Sequence, residues 1–161
     1  MRCALVLLLA FAGIAHADPR IGDHAPPLVA TTVDGKSYRL PARPGMPVVI
    51  DFFATWCGPC RAAMGALDAI LAPLDGQVTL IIVDAGEPAA AISGFLATHP
   101  PPRGATVVLD RDGALARAFG EHRLPTTFLL DGNGVIRHID RGYGPGYPAR
   151  VARWLRELTT I

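Results

Sequence analysis

The sequence predicts one α/β domain, a three-layer sandwich with a mixed central sheet flanked by helices and a β-hairpin at its N-terminal end. Two observations carry this. The runs Val48–Ala54 and Val78–Val83 are almost uniformly apolar, as strands covered on both faces are, and each is followed by a segment with helical spacing. Nearer the C-terminus, Thr126–Leu130 and Val135–Ile139 are joined by Asp131, Gly132, Asn133 and Gly134, a turn that makes those two strands antiparallel. Strand–helix alternation followed by a hairpin and a helix requires a mixed sheet between helices. Half of the 161 residues are hydrophobic and 18% are charged, enough apolar surface for one core and too much for a disordered chain.

The elements follow in order. Arg2 precedes an apolar stretch from Ala4 to Ala15, and Ala15, His16, Ala17 form a small-x-small cleavage pattern, so residues 1–17 read as a signal peptide and 18–161 as the domain. The rival is a retained membrane anchor, but the stretch falls short of the roughly 20 residues a spanning helix needs. Leu28–Thr32 and Lys36–Leu40 flank Asp34 and Gly35 as a short hairpin. After the strand Val48–Ala54, a helix runs from Pro59 with Cys60, Ala63, Met64, Leu67, Ile70, Leu71 and Leu74 on one face, closed by Asp75 and Gly76. Val78–Val83 is the second buried strand. Pro88 opens a helix to Thr98, since proline is accepted in a first helical turn. His99–Gly104 is a proline-rich loop, Thr106–Leu109 a short strand and Asp112–Phe119 a small helix. Beyond the C-terminal hairpin, Gly142–Pro148 reads as a loop rather than a site, leading into a helix Ala149–Leu158 with Val151, Trp154, Leu155 and Leu158 on one face.

Charge excludes some partners. Lys and Arg number 15 against 14 Asp and Glu, and removal of Arg2 with the signal leaves a formal charge of zero, so no basic field exists for nucleic acid or anionic lipid. Cys3 would leave with the signal as well, leaving Cys57 and Cys60 as the only thiols.

That pair concentrates the chemistry. Trp56, Cys57, Gly58, Pro59, Cys60 sit where a buried strand feeds a helix, a place where dithiols exchange electrons with other disulfides. The attacking species is a thiolate, and Cys57 stands where unpaired N–H groups and the positive end of the helix dipole stabilise one. Cys60, a turn further in, is the resolving cysteine. The bland alternatives are a structural disulfide or a zinc site, but His24, His99, His122 and His138 lack ligand spacing, so no metal is expected. No flavin or nicotinamide fingerprint is present and no cofactor is expected. Asp51 is the only charge in its strand; a buried, unpaired carboxylate tends to hold its proton, and such a group can pass one. Its alternative is an acid turned to an edge or a buried water. Trp56 either covers the dithiol or fills the core. Pro125, with no N–H, belongs at the start of the strand that follows it.

Trp56–Cys60, Asp51 six positions before the first cysteine, and Leu124, Pro125, Thr126, Thr127 before a strand together resemble the thioredoxin superfamily. The signal, the early hairpin and the phrase Val83, Asp84, Ala85, Gly86, Glu87 resemble its TlpA/ResA-like periplasmic thiol-disulfide oxidoreductases. The likeness covers nearly the whole chain from about Ile21. It implies a thioredoxin-like sandwich and a periplasmic, monomeric protein-disulfide reductase. It implies that Asp51 takes the proton of Cys60, and that Leu124 and a cis Pro125 face the dithiol with Trp56, Gly58 and Pro59 as substrate-binding positions. Glu87 matches an acid that tunes the cysteines; its place before Pro88 equally suits a helix N-terminus. Gly58 and Pro59 are the thioredoxin dipeptide, which favours a reductant, with a membrane partner of the CcdA/DsbD type to recharge it and protein disulfides awaiting haem or copper as substrates. A dithiol oxidase or isomerase would share these residues, and a binding module could share the fold. A thiol peroxidase would need threonine three positions before its cysteine, and Thr55 is two before Cys57.

Overall fold

The computed structural model describes residues 18–40, 43–74 and 76–159; the segment read as a signal peptide lies outside them. A seven-stranded sheet runs in the order β2-β1-β5-β4-β3-β6-β7. β1 (Val29–Thr32) and β2 (Ser37–Arg39) form the expected hairpin, its turn closed by Gly35 at φ 85°, where a side chain would be strained. β1 then pairs antiparallel with β5 (Thr106–Leu109). β3 (Val48–Phe53), β4 (Thr79–Asp84) and β5 are parallel, linked by the helices α1 (Gly58–Leu71) and α2 (Ala89–Thr98). After the short α3 (Ala114–Ala118), β6 (Thr126–Leu130) returns antiparallel beside β3, and β7 (Ile136–Arg141) closes that edge. The last helix, α4, spans Tyr147–Thr159.

Alternation along the strands sorts the side chains into two cores. Val49, Phe53, Leu80, Ile82, Val107 and Leu129 meet the apolar faces of α1, α2 and α4. Ile50, Phe52, Ile81, Val83 and Phe128 face the other way, against Leu115 of α3, Phe119 and Leu28. Rings of Phe52, Phe119 and Phe128 lie 5.1–6.0 Å apart there, within the range of favourable edge and tilted contacts. Helices therefore cover both faces, as the sandwich requires.

Most strand and helix ends shift by one or two residues, and two helix ends differ from expectation for an identifiable physical reason. The first helix ends at Leu71 and tightens into a 3₁₀ turn over Ala72–Leu74, because Pro73 cannot donate the next helical hydrogen bond. The last helix starts at Tyr147 rather than Ala149: Pro148 sits in its first turn, where a missing N–H costs nothing, so the helix reaches back across it. This shortens the glycine-rich loop and turns Tyr147 into a fully buried helical residue.

Candidate active site

β3, an interior strand, ends at Phe53, and after four intervening residues α1 begins at Gly58. Carboxyl ends of parallel strands are where open α/β sheets place their sites. Cys57 N–H donates to Ala54 O at 3.1 Å, turning the chain, and Cys57 becomes the N-cap of α1. Its Sγ accepts the N–H of Cys60 at 3.2 Å, and its carbonyl accepts from Cys60 and Arg61. A sulfur so placed meets the unpaired donors and positive end of a 14-residue helix. The two sulfurs form a disulfide. Cys57 retains 4% exposure and Cys60 none, the asymmetry expected between attacking and resolving positions.

Cys57 lies in an open cleft lined by Trp56, Gly58, Pro59, Ala85, Arg123 and Leu124. Trp56 is 72% exposed, so the core-filling reading is overturned and the ring stands at the rim as an apolar contact surface. The Leu124–Pro125 peptide is cis. Pro125 is buried at the head of β6, whose register sets Thr126 opposite Phe52 and Thr127 opposite Asp51. Pro125 thus stands at the entry of the strand, as its missing N–H requires, and Leu124 lines the dithiol cleft.

Three carboxylates surround this loop, each held differently. Asp51 is wholly buried on the face of β3 that carries Val49 and Phe53, the face packed by α1 and α4. Its Oδ1 accepts the Thr127 hydroxyl at 2.6 Å, and Thr127 Oγ1 lies 2.8 Å from the Tyr147 hydroxyl. Full burial sets the edge-facing alternative aside, and Oδ2 has no partner among the described residues. Burial pushes the Asp51 carboxyl up to about 7, the Thr127 bond only partly opposing it. Asp84, at the end of β4, is likewise pushed up to about 7, chiefly by burial, with the nearby Glu87 carboxylate adding to it and the Glu87 N–H, at 2.9 Å, opposing it. Glu87 turns toward Thr55, accepting its N–H and its hydroxyl at 2.6 Å each. Arg61 donates to the Thr55 carbonyl at 3.3 Å, so the residue two before Cys57 is gripped from both sides. Glu87 thus acts on the segment entering the dithiol and lies outside the cleft itself.

A family model described as Redoxin matches residues 20–153. The chain belongs to the redoxin family. It is 33% identical over 127 residues to the thiol-disulfide oxidoreductase ResA of Geobacillus thermodenitrificans, covering 76% of this chain and 70% of that one. To the thiol:disulfide interchange protein DsbE homolog of Paracoccus denitrificans it is 34% identical over 125 residues, 76% of this chain and 66% of the other. A crystal structure of a putative DsbE from Chlorobium tepidum superposes with a TM-score of 0.81 at 26% identity, over 88% of this chain and 99% of that one. This redoxin is accordingly a ResA/DsbE-like thiol-disulfide oxidoreductase of the thioredoxin superfamily, an enzyme with a Cys-x-x-Cys pair, and the non-catalytic binding module is set aside.

Among the residues of this redoxin's site, four carry no chemical role of their own in the sequence analysis: Thr55, Asp84, Thr127 and Tyr147. Tyr147 was recoverable, since Tyr147, Val151 and Leu155 recur every fourth residue and extend the apolar stripe of α4 back one turn. Thr127 and Asp84 were not. What gives them a role is a partner on another strand or loop, which their own neighbours in sequence do not reveal.

Proposed function

We propose that the chain is exported, loses residues 1–17, and reduces disulfides in other periplasmic proteins as a monomer of residues 18–161. The observation that carries this is the contrast at the dithiol: Cys57 caps α1 and opens onto a cleft with Trp56 and Leu124, while Cys60 is sealed beneath it.

The steps balance as follows. The Cys57 thiolate attacks one sulfur of the substrate disulfide and displaces the other as a thiolate, which takes a proton from water. The mixed disulfide now joins Cys57 to the substrate. Asp51, ionised in part near neutral pH, takes the proton of Cys60, and the Cys60 thiolate attacks Cys57 Sγ. The second substrate sulfur leaves, two electrons have passed to the substrate, and the Cys57–Cys60 disulfide remains. Trp56, Gly58, Pro59, Leu124 and Pro125 hold the incoming segment, and Glu87 fixes the approach to Cys57 through Thr55.

Direction rests on the dipeptide. Thioredoxin-like potentials run from about −270 mV to about −120 mV, a span of roughly 7 kcal/mol for two electrons, and Gly58–Pro59 is the pair of the reducing end. A periplasmic reductant must be recharged, here by a membrane thiol reductant of the CcdA/DsbD type. Its substrates are cysteine pairs that must be reduced before they take haem, as in apocytochrome c, or copper.

Replacing Cys60 with serine in cells tests the reading. Exported proteins bearing cysteine pairs should accumulate on Cys57 as mixed disulfides and disappear when Cys57 is replaced too. Trapping that survives without Cys57 overturns its assignment as nucleophile. A measured potential near the oxidant end reverses the direction.

A further inference from the structure

The wholly buried Asp51 carboxyl is not isolated. Asp51 of β3, Thr127 of β6 and Tyr147 of α4 meet in one line, each from a different element, with Thr127 set opposite Asp51 by strand register. Proton counting fixes the direction of this line. An ionised Asp51 can only accept, so Thr127 gives its single proton to Oδ1, and the Tyr147 hydroxyl must then donate to Thr127 Oγ1. Burial holds the Tyr147 hydroxyl well above its ordinary range, so it remains a donor throughout the neutral region. Oδ2 of Asp51 has no partner among the described residues.

We propose that Thr127 and Tyr147 are positioning residues for the release step: their hydroxyls form a two-donor chain that anchors Oδ1 of Asp51 and leaves Oδ2 as the oxygen that takes the Cys60 proton. The chain rests on the reading of Asp51 given above and adds the residues that make it workable. A carboxylate sealed in an apolar core would otherwise hold its proton too tightly to accept another at neutral pH. Two aligned donors favour its ionised form, and by occupying one oxygen they leave the other for exchange.

The surroundings add few competing charges. α1 contributes Cys60; β4 sets Ile82 against Asp51, with Asp84 two residues further along. On β7, Asp140 stands opposite Thr127 and is pinned by Arg150 at 2.9 and 3.1 Å; Tyr143, from the loop, lies with its ring 5.1 Å from that of Tyr147. The Asp140 side chain pairs with Arg150 and Tyr143 packs against Tyr147, so the Thr127–Tyr147 hydroxyl line is the polar support that the geometry supplies to Asp51.

The test follows the Asp51 carboxyl by carbon-13 NMR in the reduced protein, together with single-turnover release from a preformed mixed disulfide between pH 5 and 9. Removing donors from a carboxylate raises its midpoint. Thr127→Val should raise it by about one unit and Tyr147→Phe by about half a unit, so that release at pH 7 slows about fivefold and about twofold while converging with the wild type at high pH. Thr127→Ser, which keeps the hydroxyl, should restore the wild-type midpoint. Tyr147→Phe removes one oxygen and keeps the buried ring, so it carries the test if Thr127→Val does not fold. An unmoved or lowered midpoint in Tyr147→Phe overturns the inference. Shifted midpoints combined with an unimpaired release rate in Asp51→Asn support the hydroxyl chain and overturn instead the role of Asp51 as base.

Discussion

Burying an acid makes stability depend on pH with a sign opposite to that of an ordinary paired carboxylate. Asp51 has an ordinary value of 3.8 and is pushed up to about 7 in the fold. Below 3.8 both folded and unfolded forms carry the proton and the group is neutral in its effect. Between 3.8 and 7 the unfolded chain has released the proton while the folded one retains it, so the unfolded state binds fewer protons and stability falls as pH rises. Above 7 both are ionised and the full penalty applies, about 4 kcal/mol from the separation of the two values. Asp51→Asn removes the titration. Its new amide hydrogens replace Oδ2, which has no partner among the described residues, at a pH-independent cost of about 1–3 kcal/mol. Stability relative to wild type should therefore improve by about 3 kcal/mol as pH is raised from 4.5 to 7. Denaturant unfolding of the oxidised protein at three pH values measures it, with Asp84 present in both proteins and cancelling in the difference. A difference between variant and wild type that stays constant from pH 4.5 to 7.5 would refute the reasoning, because it would mean that Asp51 titrates alike in both states.

Three further outcomes separate the rim of the cleft from its foundations. Trp56→Ala should change stability by less than about 0.5 kcal/mol, since the ring is mostly in solvent, and should raise KM for a protein disulfide while leaving reduction by a small thiol unchanged. Leu67→Ala, in the buried face of α1, should cost about 2–5 kcal/mol in thermal or denaturant unfolding and leave the reduction potential near wild type. Glu87→Ala strips two hydrogen bonds from Thr55 and should cost about 2 kcal/mol, with Glu87→Gln recovering only part of it because the amide nitrogen cannot accept. Equal stability of the two Glu87 variants would show that the charge does not grip Thr55.

What was legible in the chain was whatever depends on near neighbours. Apolar runs at 48–54 and 78–83, helical spacing from Pro59, the Asp131–Gly134 turn and the dithiol at a strand-to-helix junction all express their physics within a dozen residues, so the layered α/β fold and the Cys57/Cys60 pair could be read directly. Even the errors were local: helix ends moved at Pro73 and Pro148, where one missing N–H decides a boundary. Tertiary structure alone decided who meets Asp51. Strand register brings Thr127 from 76 residues away, and the two-residue extension of α4 delivers the Tyr147 hydroxyl behind it. It likewise sent the Glu87 carboxylate to Thr55, 32 residues earlier, and left Trp56 in solvent. The reason is that a hydrogen bond or a buried surface is a property of two segments and of the water they exclude together; neither segment carries it until the sheet has closed.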